Sequence, residues 1–570
     1  MSFRAPVSEY QFILNSVVGL DQVVATEMFS DATEDVSSAI LTEAAKLCDE
    51  VLAPLQRSGD LEPARLENGI VRTSPGFADG YRAIAEGGWI GISASPEYGG
   101  MGLPVALATA VNEMISGACL SLQLAPLMSQ GQIEALEHHA SDAIKALYLP
   151  KLVSGEWTGT MNLTEPQAGS DVGALRTTAL PCEDGTYAIT GQKIYISWGD
   201  HDVAENVCHL VLARLPDSAA GTKGISLFLV PKRLPDANGD AGAANSLSVV
   251  SLEHKMGLHG SPTAVMQFDG ATGWLVGEPN KGMATMFTMM NNARLGVGCQ
   301  GIGVAEAAFQ HALAHAMERK QGRTAVPDDG AIVDHADVRR MLMTMKADVF
   351  AARAIALSCA VATDMHTATQ DTDWAARAAF LTPIAKAFGS YTGICVADTG
   401  IQVHGGMGFI EETGAAQFAR DVRVTAIYEG TNGIQAVDLV GRKLMDGGEM
   451  ANRLLDEIED YAERARTKLP DLAEAVWQSS ESLREATDWM VSQTDMNERF
   501  AGADPYLRAF AGVLGAHHHL VAALSAPSKP RETLARFYIL RRLPEYVGLL
   551  VHAQAGASGL FAISADDLKA

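Results

Sequence analysis

The chain has 570 residues, of which 47% are hydrophobic and 19% charged, with a formal net charge of −25. That length exceeds one ordinary core and predicts three or four domains, and the apolar content excludes a disordered chain. The acidic balance argues against nucleic acid as a partner, because phosphate binding needs a basic face; an anionic small molecule needs only a few local cations.

In chain order, Met1 to Tyr10 holds neither a basic segment nor an apolar core, so no signal peptide is expected. From about 31 to 152 apolar residues recur at spacings of three and four, which predicts helices, with breaks at 61–76 and at Pro96-Glu97-Tyr98-Gly99-Gly100. The character changes at Glu156. Segments 157–163, 186–197, 207–215, 225–231 and 264–268 are short, rich in β-branched residues and separated by Gly, Asp and Pro, which predicts an antiparallel sheet. After Glu278-Pro279-Asn280-Lys281-Gly282 helical runs return at 283–319, 332–363, 374–404 and 434–444. A further helical segment follows from about Gly448, with runs at 454–469, 472–490, 506–524 and 531–546, and in it acids outnumber bases. Residues 546–565 carry no formal charge, but their His552, Gln554 and many small residues predict a buried helical segment rather than a membrane span. The expected architecture is mainly α with a central antiparallel β domain, divided at 1–156, 157–278, 279–447 and 448–570.

The seven cysteines are scattered and form no C-x-x-C pair, so neither a disulfide framework nor a zinc site is expected, and a reducing cytoplasm fits. Gly296-Val297-Gly298-Cys299-Gln300-Gly301 satisfies the G-x-G-x-x-G pattern. That fingerprint works only between a strand and a helix; here it lies inside a helical run, where glycines let another helix approach. His311 and His315 share a helix face but lack the Glu and third ligand of a metal motif, and His517-His518-His519 point in different directions around a helix. No metal is expected.

Two loops carry more chemistry. Met161-Asn162-Leu163-Thr164-Glu165-Pro166-Gln167-Ala168-Gly169-Ser170-Asp171 runs a strand into a loop presenting hydroxyls and backbone N–H groups, either a simple strand-end turn or a cradle for a flat polar ring. Ile427-Tyr428-Glu429-Gly430-Thr431-Asn432-Gly433 sets a carboxylate beside glycines at a helix start, either a cap or a partly desolvated base.

Taken in order, these segments resemble the acyl-CoA dehydrogenase family over roughly 83–444. The resemblance includes Gly88-Trp89-Ile90-Gly91, Pro96 to Gly102, Tyr148-Leu149-Pro150-Lys151-Leu152 and the loop 163–171. It continues through Gly191-Gln192-Lys193-Ile194-Tyr195-Ile196-Ser197, Gln402-Val403-His404-Gly405-Gly406-Met407-Gly408 and Tyr428-Glu429-Gly430-Thr431.

The resemblance implies FAD as cofactor and an acyl-CoA thioester as substrate. It implies that Glu429 removes the α-proton while a hydride passes from the β-carbon to flavin N5. It assigns FAD contacts to Leu163, Thr164, Gly169, Ser170, Tyr195, Ser197, Gln402, Gly405, Gly406 and Thr431. Arg319 and Gln321 would reach the FAD of an adjacent subunit, so a homodimer is expected. Ser170, Asn291, Arg294 and Gly430 are the implied substrate contacts.

The extra C-terminal helices and Ser197-Trp198-Gly199-Asp200-His201-Asp202 resemble the large branch of the family. There the opening, with Tyr10-Gln11-Phe12-Ile13-Leu14, is similar to the 3-methylmercaptopropionyl-CoA dehydrogenases, which implies that substrate and dimethylsulfoniopropionate breakdown. A short- or medium-chain fatty acyl-CoA competes, since one methylene and one sulfur occupy similar volume. An acyl-CoA oxidase and a catalytically idle DNA-associated flavoprotein are the other readings, the second disfavoured by the acidic tail. Electron-transfer flavoprotein is the implied acceptor, in a protein bound neither to membrane nor to nucleic acid.

Overall fold

The computed structural model describes residues 3–324, 330–525 and 528–569. Helices come first: α1 (Val7–Ser16), α2 (Leu20–Val24), α3 (Glu34–Lys46), α4 (Ala53–Leu61), α5 (Phe77–Glu86), α6 (Val105–His139) and α7 (Asp142–Val153), with a small hairpin of β1 (Arg65–Glu67) and β2 (Ile70–Arg72) between α4 and α5. The sheet region holds β3 (Trp157–Asn162), β4 (Thr178–Pro181), β5 (Tyr187–Ser197), β6 (Asn206–Arg214), β7 (Ile225–Pro231), β8 (Arg233–Pro235), β9 (Ala241–Ala244), β10 (Leu247–Leu252) and β11 (Thr263–Val276). Helices resume with α8 (Gly282–Glu318), α9 (Ala336–Thr369), α10 (Thr372–His404), α11 (Ala415–Val422) and α12 (Asn432–Asp438). The last segment holds α13 (Glu449–Ala465), α14 (Pro470–Ser492), α15 (Met496–Ala501), α16 (Ala503–Ser525), α17 (Lys529–Phe537) and α18 (Glu545–Gln554). This is the mainly α architecture with a central β domain that the patterning predicts.

The chain divides into two compact units. The first comprises Met1–Ala5, Glu43–Leu103 and Met114–Gly296. Its sheet runs β10-β11-β5-β4-β6-β3, and β7 bridges β11 and β6, closing the order into a ring. Pairing is antiparallel except where β3 and β4 run parallel to β6. Val211, Ile189, Phe228, Met266 and Phe268 fill the core. β7 is buried along its whole length, which is why it reads as a continuous apolar run rather than an alternation.

The second unit comprises Pro6–Thr42, Pro104–Glu113 and Val297–Ala570. Here α8 crosses α10 at glycines: a Cβ on Gly301 would lie 2.3 Å from the Gly389 carbonyl oxygen, and one on Gly298 2.7 Å from that of Ala385. The G-x-G-x-x-G string is therefore a helix-packing device, not a phosphate loop. Arg353, fully buried on α9, donates to Glu113 (2.8 Å) and Glu306 (3.0 Å), and its guanidinium lies 4.7 Å from the Tyr10 ring centre. Glu9 on α1 receives both guanidinium nitrogens of Arg531 on α17 (2.9 and 2.8 Å), so the first helix docks onto the C-terminal segment.

Residues 546–565 depart from expectation. The helix α18 stops at Gln554, and Val547, Val551, Leu560 and Phe561 are exposed. Gly556 and Gly559, both at positive φ, turn the chain out of helical geometry in a run too small-sided to bury itself. Among the described residues, the one helix long and apolar enough to cross a membrane is α6, and 94% of its apolar window is buried.

Candidate functional site

The residues singled out in the sequence fall into separate sets, one group in the first unit and two in the second. In the first unit, β3 ends at Asn162 and the chain enters the loop that carries Leu163, Thr164, Gly169 and Ser170. The loop is pinned from inside. The Leu163 carbonyl accepts from Lys193 Nζ (3.0 Å) and the Thr164 carbonyl from the Ile194 N–H (3.0 Å). Glu165 and Ala168 exchange backbone bonds, which tightens the turn, while Gly169 and Ser170 stay exposed.

The Glu165 carboxylate is the hub of this loop. It accepts from Lys193 Nζ (2.9 Å), Thr177 N–H (3.0 Å) and Oγ1 (2.6 Å), Arg176 N–H (2.7 Å) and Gln167 Nε2 (2.6 Å). Burial would raise its pKa, but the Lys193 charge and these donors outweigh burial and hold it down at about 2. Burial in turn pulls Lys193 down, against the pull of Glu165.

On β5, Lys193 pairs with Met266 and Ile196 with Ala264, so Ile194 and Tyr195 together face one residue of β11. This bulge puts Tyr195 at φ 61°, and the residue is 61% exposed. Ser197, half-buried, closes the strand opposite Thr263. Thus the loop and the bulge, 30 residues apart in sequence, stand side by side through the Thr164–Ile194 bond. On α8, Asn291 is exposed, while Arg294 is buried with its guanidinium 5.9 Å from the Phe287 ring centre.

In the second unit, Glu429 lies half-buried at φ 57°, followed by Gly430 at φ 81°. Few carboxylate residues adopt that backbone, and here it is over-determined. Gln435 Nε2 donates to the carbonyls of Glu429 (3.1 Å) and Gly430 (3.2 Å), and buried Lys386 on α10 donates to Gly430 (2.8 Å) and Asn432 Oδ1 (3.0 Å). Thr431 caps α12 by accepting from the Ile434 N–H (3.1 Å). The Tyr428 hydroxyl donates to Gln300 on α8. The result is a carboxylate on a fixed turn, suited to take a proton from a substrate held beside it.

The remaining candidates gather at another place in this unit. Gly405, at φ 60°, ends α10, with exposed Gln402 one turn before it and exposed Gly406 after it. At the end of α8, Arg319 donates to Gln321 (3.2 Å), both exposed. The two helix ends meet through His404, whose ring stacks on His315 (4.3 Å) and His311 (4.7 Å). Burial and the neighbouring rings depress His311 to about 4 and lower His315 as well, which suits rings packed against one another rather than a charged site. By helical rise, Gln402 lies about 24 Å along α10 from Lys386, and His315 about 22 Å along α8 from Gln300. The glycine turn and Arg319 are thus far from the Glu429 turn.

The sequence reading assigned no role to Lys193, Lys386, Gln300 or Gln435. For Lys386 a partial signal existed, since it stands between apolar residues in the middle of a long helix, where a buried ammonium needs partners, though the sequence does not say which.

Four family models match the chain in succession. They are described as the acyl-CoA dehydrogenase N-terminal domain over 34–156, the middle domain over 160–271, the C-terminal domain over 280–445, and an acetyl-CoA dehydrogenase C-terminal-like domain over 454–564. The chain is 44% identical to a 3-methylmercaptopropionyl-CoA dehydrogenase of Ruegeria pomeroyi, covering 89% of this chain and 88% of the relative. It is 33% identical to a butyryl-CoA dehydrogenase of Syntrophomonas wolfei, covering 95% of each. In fold it is similar to ACDH-11 of Caenorhabditis elegans, solved with C11-CoA, at a TM-score of 0.81 and 20% identity, over 95% of this chain and 92% of that one. The activity general to such proteins is FAD-dependent α,β-dehydrogenation of acyl-CoA thioesters. This chain belongs to the acyl-CoA dehydrogenase family, and it carries a helical C-terminal extension beyond that family's N-terminal, middle and C-terminal domains.

Proposed function

We propose that this chain dehydrogenates 3-methylmercaptopropionyl-CoA to methylthioacryloyl-CoA, with Glu429 as the base that takes the α-proton. The observation that carries the base assignment is the Glu429 turn itself: a carboxylate held in left-handed backbone by Gln435 and Lys386. A thioester acidifies its α-proton, and a carboxylate within reach of it needs only modest desolvation to accept that proton.

The residues present suit a flavin. The first unit offers the N–H groups and hydroxyls of Leu163, Thr164, Ser170 and Ser197 on a loop braced by Glu165, with the exposed Tyr195 ring beside it. FAD, when bound there, supplies the hydride acceptor that side chains lack. Ser170, Asn291, Arg294 and Gly430 are proposed to hold the thioester and its CoA portion. Gln402, Gly405 and Gly406 are proposed to hold the FAD pyrophosphate, and Arg319 and Gln321, more than about 20 Å along α8 from the Glu429 turn, to reach the cofactor of a second subunit, which supports a homodimer. Electron-transfer flavoprotein is the proposed acceptor and the cytoplasm the proposed location, with no membrane or nucleic-acid partner.

The substrate is supported by the 44% identity to the Ruegeria pomeroyi protein over nearly its full length. A second reading, a short- or medium-chain acyl-CoA, is favoured by full-length similarity to a butyryl-CoA dehydrogenase. Anaerobic titration of the purified yellow protein with 3-methylmercaptopropionyl-CoA, and separately with butyryl-, octanoyl- and palmitoyl-CoA, decides between them. The expected outcome is stoichiometric bleaching, most complete with the first. Strongest bleaching by butyryl-CoA transfers the assignment to the second reading, and no bleaching by any thioester sinks both. Rapid reoxidation in air with peroxide would make the protein an oxidase.

A further inference from the structure

Lys193 is fully buried, and its ammonium has two partners of different kind: the Glu165 carboxylate (2.9 Å) and the Leu163 carbonyl (3.0 Å). A structural ion pair needs only the first. The second reaches into the backbone of the loop through which, on the functional reading above, the chain meets FAD.

A trans peptide is planar, so the carbonyl of Leu163 and the N–H of Thr164 point in opposite directions. With the Leu163 oxygen drawn toward Lys193, the Thr164 N–H is turned away from the buried ammonium, to the other side of the loop. The Ile194 N–H, holding the Thr164 oxygen, fixes the next peptide plane in the same way. An ammonium on a carbonyl also polarises the amide, which makes its N–H a stronger donor. Glu165 keeps the ammonium in place; Thr177, Arg176 and Gln167 keep Glu165 in place.

We infer that Lys193 and Glu165 are a positioning pair for the flavin, which orients and strengthens the Thr164 N–H as a donor to the ring and thereby raises both FAD affinity and the flavin's reduction potential. The inference rests on the functional reading only in taking FAD as the ligand of this loop. A donor of this kind favours reduced flavin over oxidised flavin, because reduction adds negative charge to the ring.

The test compares full-length wild type with Lys193→Met, which keeps the length of the side chain without its charge, and with Glu165→Gln, which keeps the shape of the carboxylate. The readouts are the dissociation constant for FAD, by flavin fluorescence after removal and re-addition of the cofactor, and the midpoint potential by anaerobic dye titration. Lys193→Met is expected to weaken FAD binding at least tenfold and to lower the midpoint potential, by about 30 mV for each tenfold by which reduced flavin loses more affinity than oxidised. Glu165→Gln is expected to shift both in the same direction by less, and it decides the matter alone if Lys193→Met does not fold. FAD affinity within twofold of wild type overturns the inference. So does weakened binding at an unchanged potential, which would make the pair plain scaffolding. A wild-type chain that takes up no FAD overturns the functional reading itself, a result seen before any variant is compared.

Discussion

Glu429 occupies a backbone region that costs a non-glycine residue on the order of 1–3 kcal/mol, and the turn persists because Gln435 and Lys386 hold the two carbonyls that define it. The strain is thus local and structurally repaid, and it aims one carboxylate. Replacing that carboxylate by its amide should leave the turn intact, since the bonds that hold it run to backbone oxygens. Glu429→Gln is therefore expected to retain FAD and thermal stability while turnover falls roughly 10²- to 10⁴-fold, the usual worth of a general base. Steady-state kinetics beside the flavin absorbance spectrum checks it, and normal turnover would move the base elsewhere. Trp198, at φ 53°, is another left-handed residue, but its indole is buried against Phe77 and donates to the Ser121 carbonyl (3.1 Å), so there the conformation serves packing.

Among the elements, α16 carries a device with a visible pH consequence. Its His518 and His519 are buried beside Ser358 and Tyr538, and His517 is half-buried against Tyr461. Burial is the largest cause of their depressed pKa values, about 4 for His517 and His519 and well below the ordinary 6.5 for His518. As pH falls through 6.5 the unfolded chain binds protons that the folded chain refuses until about 4, so stability is full above 6.5 and lost on the way down. Urea unfolding at pH 7.5, 6 and 5 should show the midpoint falling stepwise, and His518→Leu should flatten that fall. Because the carboxyls of Glu134, Asp364 and Asp348, which desolvation holds up at about 7, 7 and 6, act in the opposite sense, the comparison with His518→Leu decides: a pH dependence identical to wild type would contradict the burial of that ring.

The elements were also the most legible part of the sequence. The long apolar runs of α8 and α10 and the strands β3, β5, β6 and β7 could be bounded to within a few residues, because periodicity reports burial directly. By contrast, 264–268 covers only the start of β11, 332–363 stops six residues short of the end of α9, and β4 and β10 are not singled out. The 546–565 stretch misled because its His552, Gln554 and small residues suggest a buried helix, whereas the turns at Gly556 and Gly559 break the helix and Val547, Val551, Leu560 and Phe561 stay exposed. For the candidate site, the loops around Leu163 and Glu429 were legible as motifs. What braces them was not, since Lys193 and Lys386 reach their carbonyls from 30 and 44 residues away and no local pattern records that.

On the scale of the whole molecule, the second unit is assembled from three stretches of chain, and α1 is tied to α17 by the paired bonds of Glu9 and Arg531. The Arg531 guanidinium also lies 4.0 Å from the Phe12 ring centre, so one side chain holds two residues of the first helix. Arg531→Ala leaves the Glu9 carboxylate largely buried without its partner and is expected to cost about 1–3 kcal/mol. Limited proteolysis should then cut first within 6–42; a cleavage pattern and melting curve identical to wild type would show that the arm is held by packing alone.

The span closed by that ion pair is 522 residues. During synthesis at about 5–20 residues per second, α1 leaves the ribosome roughly half a minute to two minutes before the helix that receives it exists. In that interval the apolar face built from Tyr10, Ile13 and Leu14 can settle against α9, whose Arg353 lies over the Tyr10 ring, while the Glu9 carboxylate still waits for Arg531. That helix is therefore secured in two stages, its apolar face by elements made earlier and its ion pair only when α17 has been added.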